Sequence, residues 1–223
     1  MVLAMDPGFA KNGAAPSQTV RKTSARDVMK RMLDLAFASI VVALVSPLII
    51  AVVAIIKITS PGPAFFRQTR VGRHGETFEM LKFRSMYIDA EARRAALLEG
   101  SDRSGVCFKQ KSDPRVTPIG RFIRRYSIDE LPQVLNVLKG DMSLVGPRPA
   151  LPEEVTQYSE EARGRLEAVP GMTGLWQVSG RADVGFERMV KMDIAYAKTH
   201  NVFLDLLIMA LTFRAVLSAR GAY

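Results

Sequence analysis

The chain has 223 residues, 48% of them hydrophobic and 24% charged, which is enough for one domain with a sizeable core and too few for several independent ones. Its 31 Lys and Arg against 22 Asp and Glu leave a net charge of +9, which favours an anionic partner: nucleic acid, anionic lipid or a phosphate-bearing substrate. A lone cysteine, Cys107, excludes an intrachain disulfide and a paired-cysteine zinc site, and His74 and His200 lack metal-ligand spacing, so catalysis is sought among carboxylates and arginines of a domain suited to a reducing compartment.

Residues 1–27 mix Ala, Gly, Pro, Ser and Thr with scattered basic residues, a composition that predicts a mobile tail. The first long apolar run lies too deep for an export signal. That run, Leu35 to Ile56, reads LAFASIVVALVSPLIIAVVAII. As a helix its roughly 22 residues match about 30 Å of hydrocarbon, and no polar face interrupts it, so a membrane helix is expected over 28–58.

Ser46-Pro47 falls near the middle of the run, where proline removes a helix hydrogen bond and crowds the preceding turn. Basic residues flank both ends: Arg21, Lys22, Arg26, Lys30 and Arg31 before it, Lys57, Arg67, Arg70 and Arg73 after it. The positive-inside rule then wants both ends cytoplasmic. A helix that enters, breaks at Ser46-Pro47 and returns to the same face satisfies this, with Ser46 able to bond a freed carbonyl. A kinked single span is the alternative.

Beyond Lys57, residues 59–223 read as one α-rich α/β domain without internal repeats. Ser60-Pro61-Gly62-Pro63 marks a turn, and β-like pieces run over Ala64–Gln68 and Thr77–Arg84. Helical patterns follow at Ile88–Leu98, Asp129–Lys139, Pro152–Ala168 and Phe186–Thr199. The apolar stretch Asn201–Leu217 carries Asp205 and Arg214, which suits either an interfacial amphipathic helix on lipid or a helix capping the core.

The densest chemistry is RRYSIDELPQ, Arg124 to Gln133, where Asp129 and Glu130 adjoin two arginines. Ser127 and Glu130 also have capping-box spacing, a purely structural explanation. Three further features favour chemistry. Gly146-Pro147-Arg148-Pro149 holds an arginine between two prolines, as suits bidentate phosphate capture. Lys82-Phe83-Arg84 alternates so that Lys82 and Arg84 share a strand face. The membrane segment itself points to an anionic reactant that lives in the bilayer. A carboxylate can attack phosphorus and form an acyl phosphate while arginines and a divalent cation balance the charge, and hard Asp and Glu oxygens favour Mg²⁺.

These residues resemble the bacterial sugar transferase family of monotopic phosphoglycosyl transferases. The likeness runs from about Lys30 to the C-terminus through KRMLD, PGPAFFRQTRVG, KFRSM, DPRVTPIGRFIRR, DELPQVLNVLKGDMSLVGPRP and PGMTGLWQVSGR. It implies a re-entrant membrane helix, a cytoplasm-facing domain on the bacterial inner membrane, and a ping-pong reaction. A sugar-1-phosphate would pass from a UDP-hexose, glucose or galactose, to undecaprenyl phosphate, with release of UMP, as the first membrane step of exopolysaccharide or related glycan assembly. On this likeness Asp129 is the nucleophile, and Glu130 helps bind Mg²⁺ or handles the acceptor proton. Lys82, Arg84, Arg124 and Arg148 handle phosphate or nucleotide. Trp176, Gln177 and Arg181 are candidates for the sugar or nucleotide pocket, although a buried core role for the tryptophan is as natural. Ser85 stands where many relatives carry Thr and keeps the hydroxyl.

Two other readings remain: a basic membrane adaptor without catalysis, and a glycosyltransferase releasing UDP. Nucleic-acid binding is not expected, since the arginines cluster around acids and loops instead of one exposed helix or aromatic strand face. Homo-oligomerisation is left open.

Overall fold

A computed structural model of the chain describes residues 24–90, 92, 113–180 and 184–218. Nearly all of the expected tail, most of the pattern at Ile88–Leu98, Cys107 and Arg181 lie outside them.

The apolar run forms one helix, α1, Ala25–Thr59, started by Ser24, whose hydroxyl accepts from the Arg26 amide. It is the one described helix long and apolar enough to cross a membrane, and only 11% of its apolar window is buried. The helix continues through Ser46-Pro47, so the expected break is not an interruption of the helix. The local chemistry explains why. Proline cannot donate to the carbonyl of Ala43 four residues back, and the Ser46 hydroxyl donates to that oxygen at 3.1 Å instead.

Four α1 residues are buried, Asp34 and Ala38 in the first half, Val52 and Ile56 in the second. Ala38 joins Met80, Val134, Val137 and Met142, while Val52 and Ile56 join Ala64, Phe83 and Ile123. The helix therefore rests on the domain at two places. Between them Val41, Val42 and Ile49 still pack on the domain, while Leu44, 74% exposed, and Ile50, 68%, face outward.

Two small sheets follow from strand-forming runs. Strands β1, Phe65–Val71, and β2, Thr77–Phe83, pair antiparallel with Phe65 opposite Phe83 and Val71 opposite Thr77. β3, Ser143–Val145, and β4, Gly171–Thr173, pair in parallel. Around them pack α2, Pro118–Arg125; α3, Gln133–Lys139; α4, Pro152–Val155; α5, Glu160–Arg163; α6, Leu175–Val178; α7, Phe186–Thr199; and α8, Val202–Ser218. The described chain is thus helix-rich with a minority of strand.

Two expected helices are subdivided. Asp129–Lys139 becomes a 3-10 turn over Ile128–Glu130 followed by α3, because Pro132 has no amide to give Ile128, whose carbonyl accepts from Leu131 at 3.1 Å. Pro152–Ala168 is split because the Ser159 hydroxyl accepts from the Ala162 amide and caps a fresh helix. Helix α8 meets β3 and β4 on one side through Ile208 and Thr212, and exposes Phe203 and Phe213 on the other.

Candidate active site

Three elements deliver the charged residues. β2 carries Lys82 one residue before its end, the 3-10 turn after α2 carries Asp129 and Glu130, and β3 runs into Gly146-Pro147-Arg148-Pro149. Helix α2 is set close to the chain leaving β2: the Thr117 amide donates to the Ser85 carbonyl at 3.0 Å, and a Cβ at Gly120 would lie 1.9 Å from that same oxygen. Only glycine allows this approach. The chain then turns through Ser127 in the left-handed region, φ 56°, an uncommon conformation for serine. Ser127 makes no side-chain cap bond, so the capping box does not form.

Glu130 turns instead toward cations. Lys82 Nζ donates to its Oε1 at 2.9 Å, and Arg148 Nη1 lies 3.5 Å from the same oxygen. Burial pushes the Glu130 carboxyl up, but Lys82 and Arg148 together outweigh it and hold it well below the usual carboxylate range. Its side chain keeps about a quarter of its exposure, 24%.

Asp129 is the opposite case. It is 8% exposed, and none of the described residues hydrogen-bonds or ion-pairs with its carboxylate. Burial, with the neighbouring Glu130 charge, raises it from 3.8 to about 6 against the pull of Lys82, Arg124 and Arg148. Adjacent carboxylates in one cationic setting are thereby separated: one is paired and firmly ionised, the other is unpaired and more basic.

The arginine loop is held by its backbone. The Gly146 amide donates to the Thr173 carbonyl at 2.8 Å and the Gly171 amide to Pro147 O at 2.9 Å, with the two glycines too close for any side chain. Asn136, buried in α3, fixes the β2 edge: its amide nitrogen donates to Glu79 O at 2.7 Å and its oxygen accepts from the Leu81 amide at 3.0 Å. A polar residue between the apolar Val134 and Val137 was the available sign of this role.

The expected site residues therefore divide. Asp129, Glu130, Lys82 and Arg148 come together, with Arg124 near enough to act on Asp129 through its charge. Arg84 does not join them; its guanidinium donates to Ser60 O at 2.8 Å and Pro61 O at 2.6 Å, anchoring the chain that leaves α1. Trp176 packs in a core cluster with Val184 and Met189, its indole N–H without a partner among the described residues. Gln177 Nε2 donates to Met172 O at 3.3 Å, while its Oε1 is buried without a partner among the described residues. Gly174, just before both, lies against the Gly146 carbonyl, so this segment backs the arginine loop.

The chain is similar to several known proteins over most of its length. A 46% identical relative over 87% of the chain is the galactosyl transferase CpsE of Streptococcus agalactiae, and a 44% identical one over 91% is the undecaprenyl-phosphate galactose phosphotransferase of Salmonella typhimurium. The chain spans 43% of the length of each. The exopolysaccharide production protein ExoY of Rhizobium meliloti is 36% identical over 93% of this chain and 94% of its own length. The model of the bacterial sugar transferase family matches residues 25–219, from the start of α1 past the end of α8, and the chain belongs to that family.

Proposed function

We propose that the protein transfers a hexose-1-phosphate from a UDP-hexose to undecaprenyl phosphate by two displacements at phosphorus. The observation that carries the reading is the asymmetry of the acid pair: Asp129 is unpaired among the described residues and raised to about 6, beside a Glu130 neutralised by Lys82 and Arg148. A carboxylate of that basicity is largely anionic at neutral pH and a better nucleophile than an ordinary aspartate. A relative from Salmonella typhimurium is named for galactose phosphotransfer to undecaprenyl phosphate, and one from Caulobacter vibrioides for glucose-1-phosphate transfer from UDP-glucose; both names fit the same chemistry.

In the first displacement an Asp129 carboxylate oxygen attacks the sugar-bearing phosphorus. The bond from that phosphorus to the bridging oxygen breaks, UMP leaves, and a phosphosugar-aspartyl acyl phosphate remains. In the second, an oxygen of undecaprenyl phosphate attacks the same phosphorus and Asp129 leaves as carboxylate, giving undecaprenyl-diphospho-hexose. Lys82 and Arg148 neutralise charge on the non-bridging oxygens, and Arg124 adds to the positive field.

Among the described residues no cluster of three or more His, Cys, Asp or Glu gathers for a metal. Two adjacent carboxylates completed by diphosphate oxygens suit Mg²⁺, which prefers few protein ligands together with substrate phosphate. Asp129 and Glu130 would hold it, and when bound it would neutralise developing charge on the diphosphate.

The membrane part of the reading rests on α1. Lys30, Arg31 and Asp34 in its first turns bond Asp205, the Val137 and Leu138 carbonyls, and the Leu144 amide, while Val52 and Ile56 near its end pack on Phe83 and Ile123. Both ends touching one domain supports a re-entrant helix with the domain on the cytoplasmic face. Cysteines placed before Lys30 should resist a membrane-impermeant reagent added from the periplasmic side; labelling there would reject this topology.

The deciding assay incubates the protein with Mg²⁺, undecaprenyl phosphate and radiolabelled UDP-galactose or UDP-glucose. UMP together with lipid-extractable label is expected, and the two rates rank the sugars. UDP as the released nucleotide would establish a plain glycosyltransferase instead.

A further inference from the structure

The arginine loop carries an unusual set of bonds. Four consecutive carbonyls, Pro147, Arg148, Pro149 and Ala150, each accept from a different donor: the Gly171 amide at 2.9 Å, Arg165 Nη2 at 3.1 Å, Arg70 Nη1 at 3.1 Å and the Val71 amide at 2.9 Å. With prolines at 147 and 149, the loop has few amides of its own to fix its path, so its carbonyls do so.

Of these donors Arg165 is the most constrained. It is 3% exposed, and Nη2 also donates to Asp193 Oδ2 at 2.5 Å while Nη1 donates to the Tyr158 hydroxyl at 2.8 Å. Its guanidinium lies over the Tyr158 ring, 5.6 Å from the centroid. Asp193, on α7, is 1% exposed. A fully buried ion pair is an expensive way to hold a fold together, since apolar residues of similar volume serve at least as well. Its geometry here does something apolar packing cannot: it aims one N–H of a rigid fork at the carbonyl of Arg148.

We propose that Arg165 is a positioning residue for Arg148. Asp193 and Tyr158 fix the Arg165 fork, the fork fixes the Arg148 backbone, and the Arg148 guanidinium is thereby kept beside Glu130 and the diphosphate that binds there. The role in catalysis rests on the transferase reading above; the positioning itself does not.

Arg165→Lys retains the charge and loses the fork. In the full-length protein it should lower kcat/KM for the UDP-sugar on the order of tenfold to a hundredfold, mostly through a higher KM. In an Arg148→Lys background the same substitution should add less than about twofold, because the residue it serves is already altered. Hydrogen exchange at the amides of Gly146, Arg148 and Ala150 should quicken in Arg165→Lys while exchange across β2 stays as in the parent. Equal losses in both backgrounds, or unchanged exchange at those three amides, would overturn the proposal. Should Arg165→Lys not fold, Tyr158→Phe removes a single partner of the fork and should show the same two effects more weakly; wild-type exchange and kinetics in that variant would also overturn it. If the parent releases no UMP from any UDP-sugar, the transferase reading falls and the exchange measurement still decides the positioning.

Discussion

Replacing Asp129 with asparagine should abolish UMP release and, above about pH 6, make the protein more stable. The second effect follows from burial. The carboxyl is raised from 3.8 to about 6, so the folded state binds its proton more tightly than the unfolded chain does. A raised carboxyl contributes its stability in full below the unfolded value and loses it as pH rises through the folded one. Holding the anion above that range costs up to about 3 kcal/mol, and asparagine keeps the shape without the charge. Without Mg²⁺, Asp129→Asn should therefore exceed the parent by on the order of 1 to 3 kcal/mol at about pH 8 and match it near pH 4. For a chain of this size that is a rise in midpoint of about 2 to 4 °C per kcal/mol. Thermal unfolding in detergent, followed by the fluorescence of the lone, buried Trp176, reads the difference. Equal destabilisation at both pH values would show that the native fold holds the Asp129 carboxylate by favourable partners and refute the argument from its unpaired burial.

Glu130→Gln removes the neighbouring charge that raises Asp129, so the pH at which the Asp129→Asn advantage appears should move down; an unchanged or higher transition would contradict the coupling between the two acids. Gly120→Ala forces a methyl to within 1.9 Å of the Ser85 carbonyl, and should cost more than about 2 kcal/mol and reduce turnover, checked by thermal unfolding and UMP release. Asn136→Ala strips partners from the Leu81 amide and the Glu79 carbonyl; a loss of about 2 to 4 kcal/mol is expected in denaturant unfolding, and a loss below about 0.5 kcal/mol would show that β2 is held by other contacts.

Legibility in the sequence followed the range of the physics. The apolar run, the two strand runs that become β1 and β2, and Phe186–Thr199 announce themselves through local pattern, and α7 has the expected ends. The acid pair was visible as a charge cluster, but its chemistry was not, since S-x-x-E reads equally as a capping box. What decides between them is the distant Lys82 and Arg148, which draw Glu130 away from the Ser127 amide. Helix α2 was missed because Gly120 interrupts its pattern, and that glycine is present for the close approach to Ser85 rather than for the helix. Strands β3 and β4 are three residues each, too short for any period, and their pairing joins segments far apart in sequence. Arg84 illustrates the converse: its alternation with Phe83 is real, yet Ser60 and Pro61 claim the guanidinium.

The same residues that seat α1 also brace the catalytic elements. Arg31 donates to the last carbonyls of α3, the helix that follows the acid pair, and Asp34 accepts from the Leu144 amide in β3, the strand that leads into the arginine loop. Lys30 pairs with Asp205, which accepts from the Tyr196 hydroxyl, and that hydroxyl also lies 2.9 Å from the Val145 carbonyl, one residue before Gly146. Asp129 and Glu130 come from one side of this frame and Arg148 from the other, so the first turns of α1 sit across the joint between them. On the proposed reaction, whose acceptor is held in lipid, the helix proposed to enter the bilayer and the elements proposed to meet the diphosphate share one set of buried bonds. The basic residues Lys30 and Arg31, explicable from composition alone as a flank that keeps the helix end on the cytoplasmic face, are in the fold also structural members of the site.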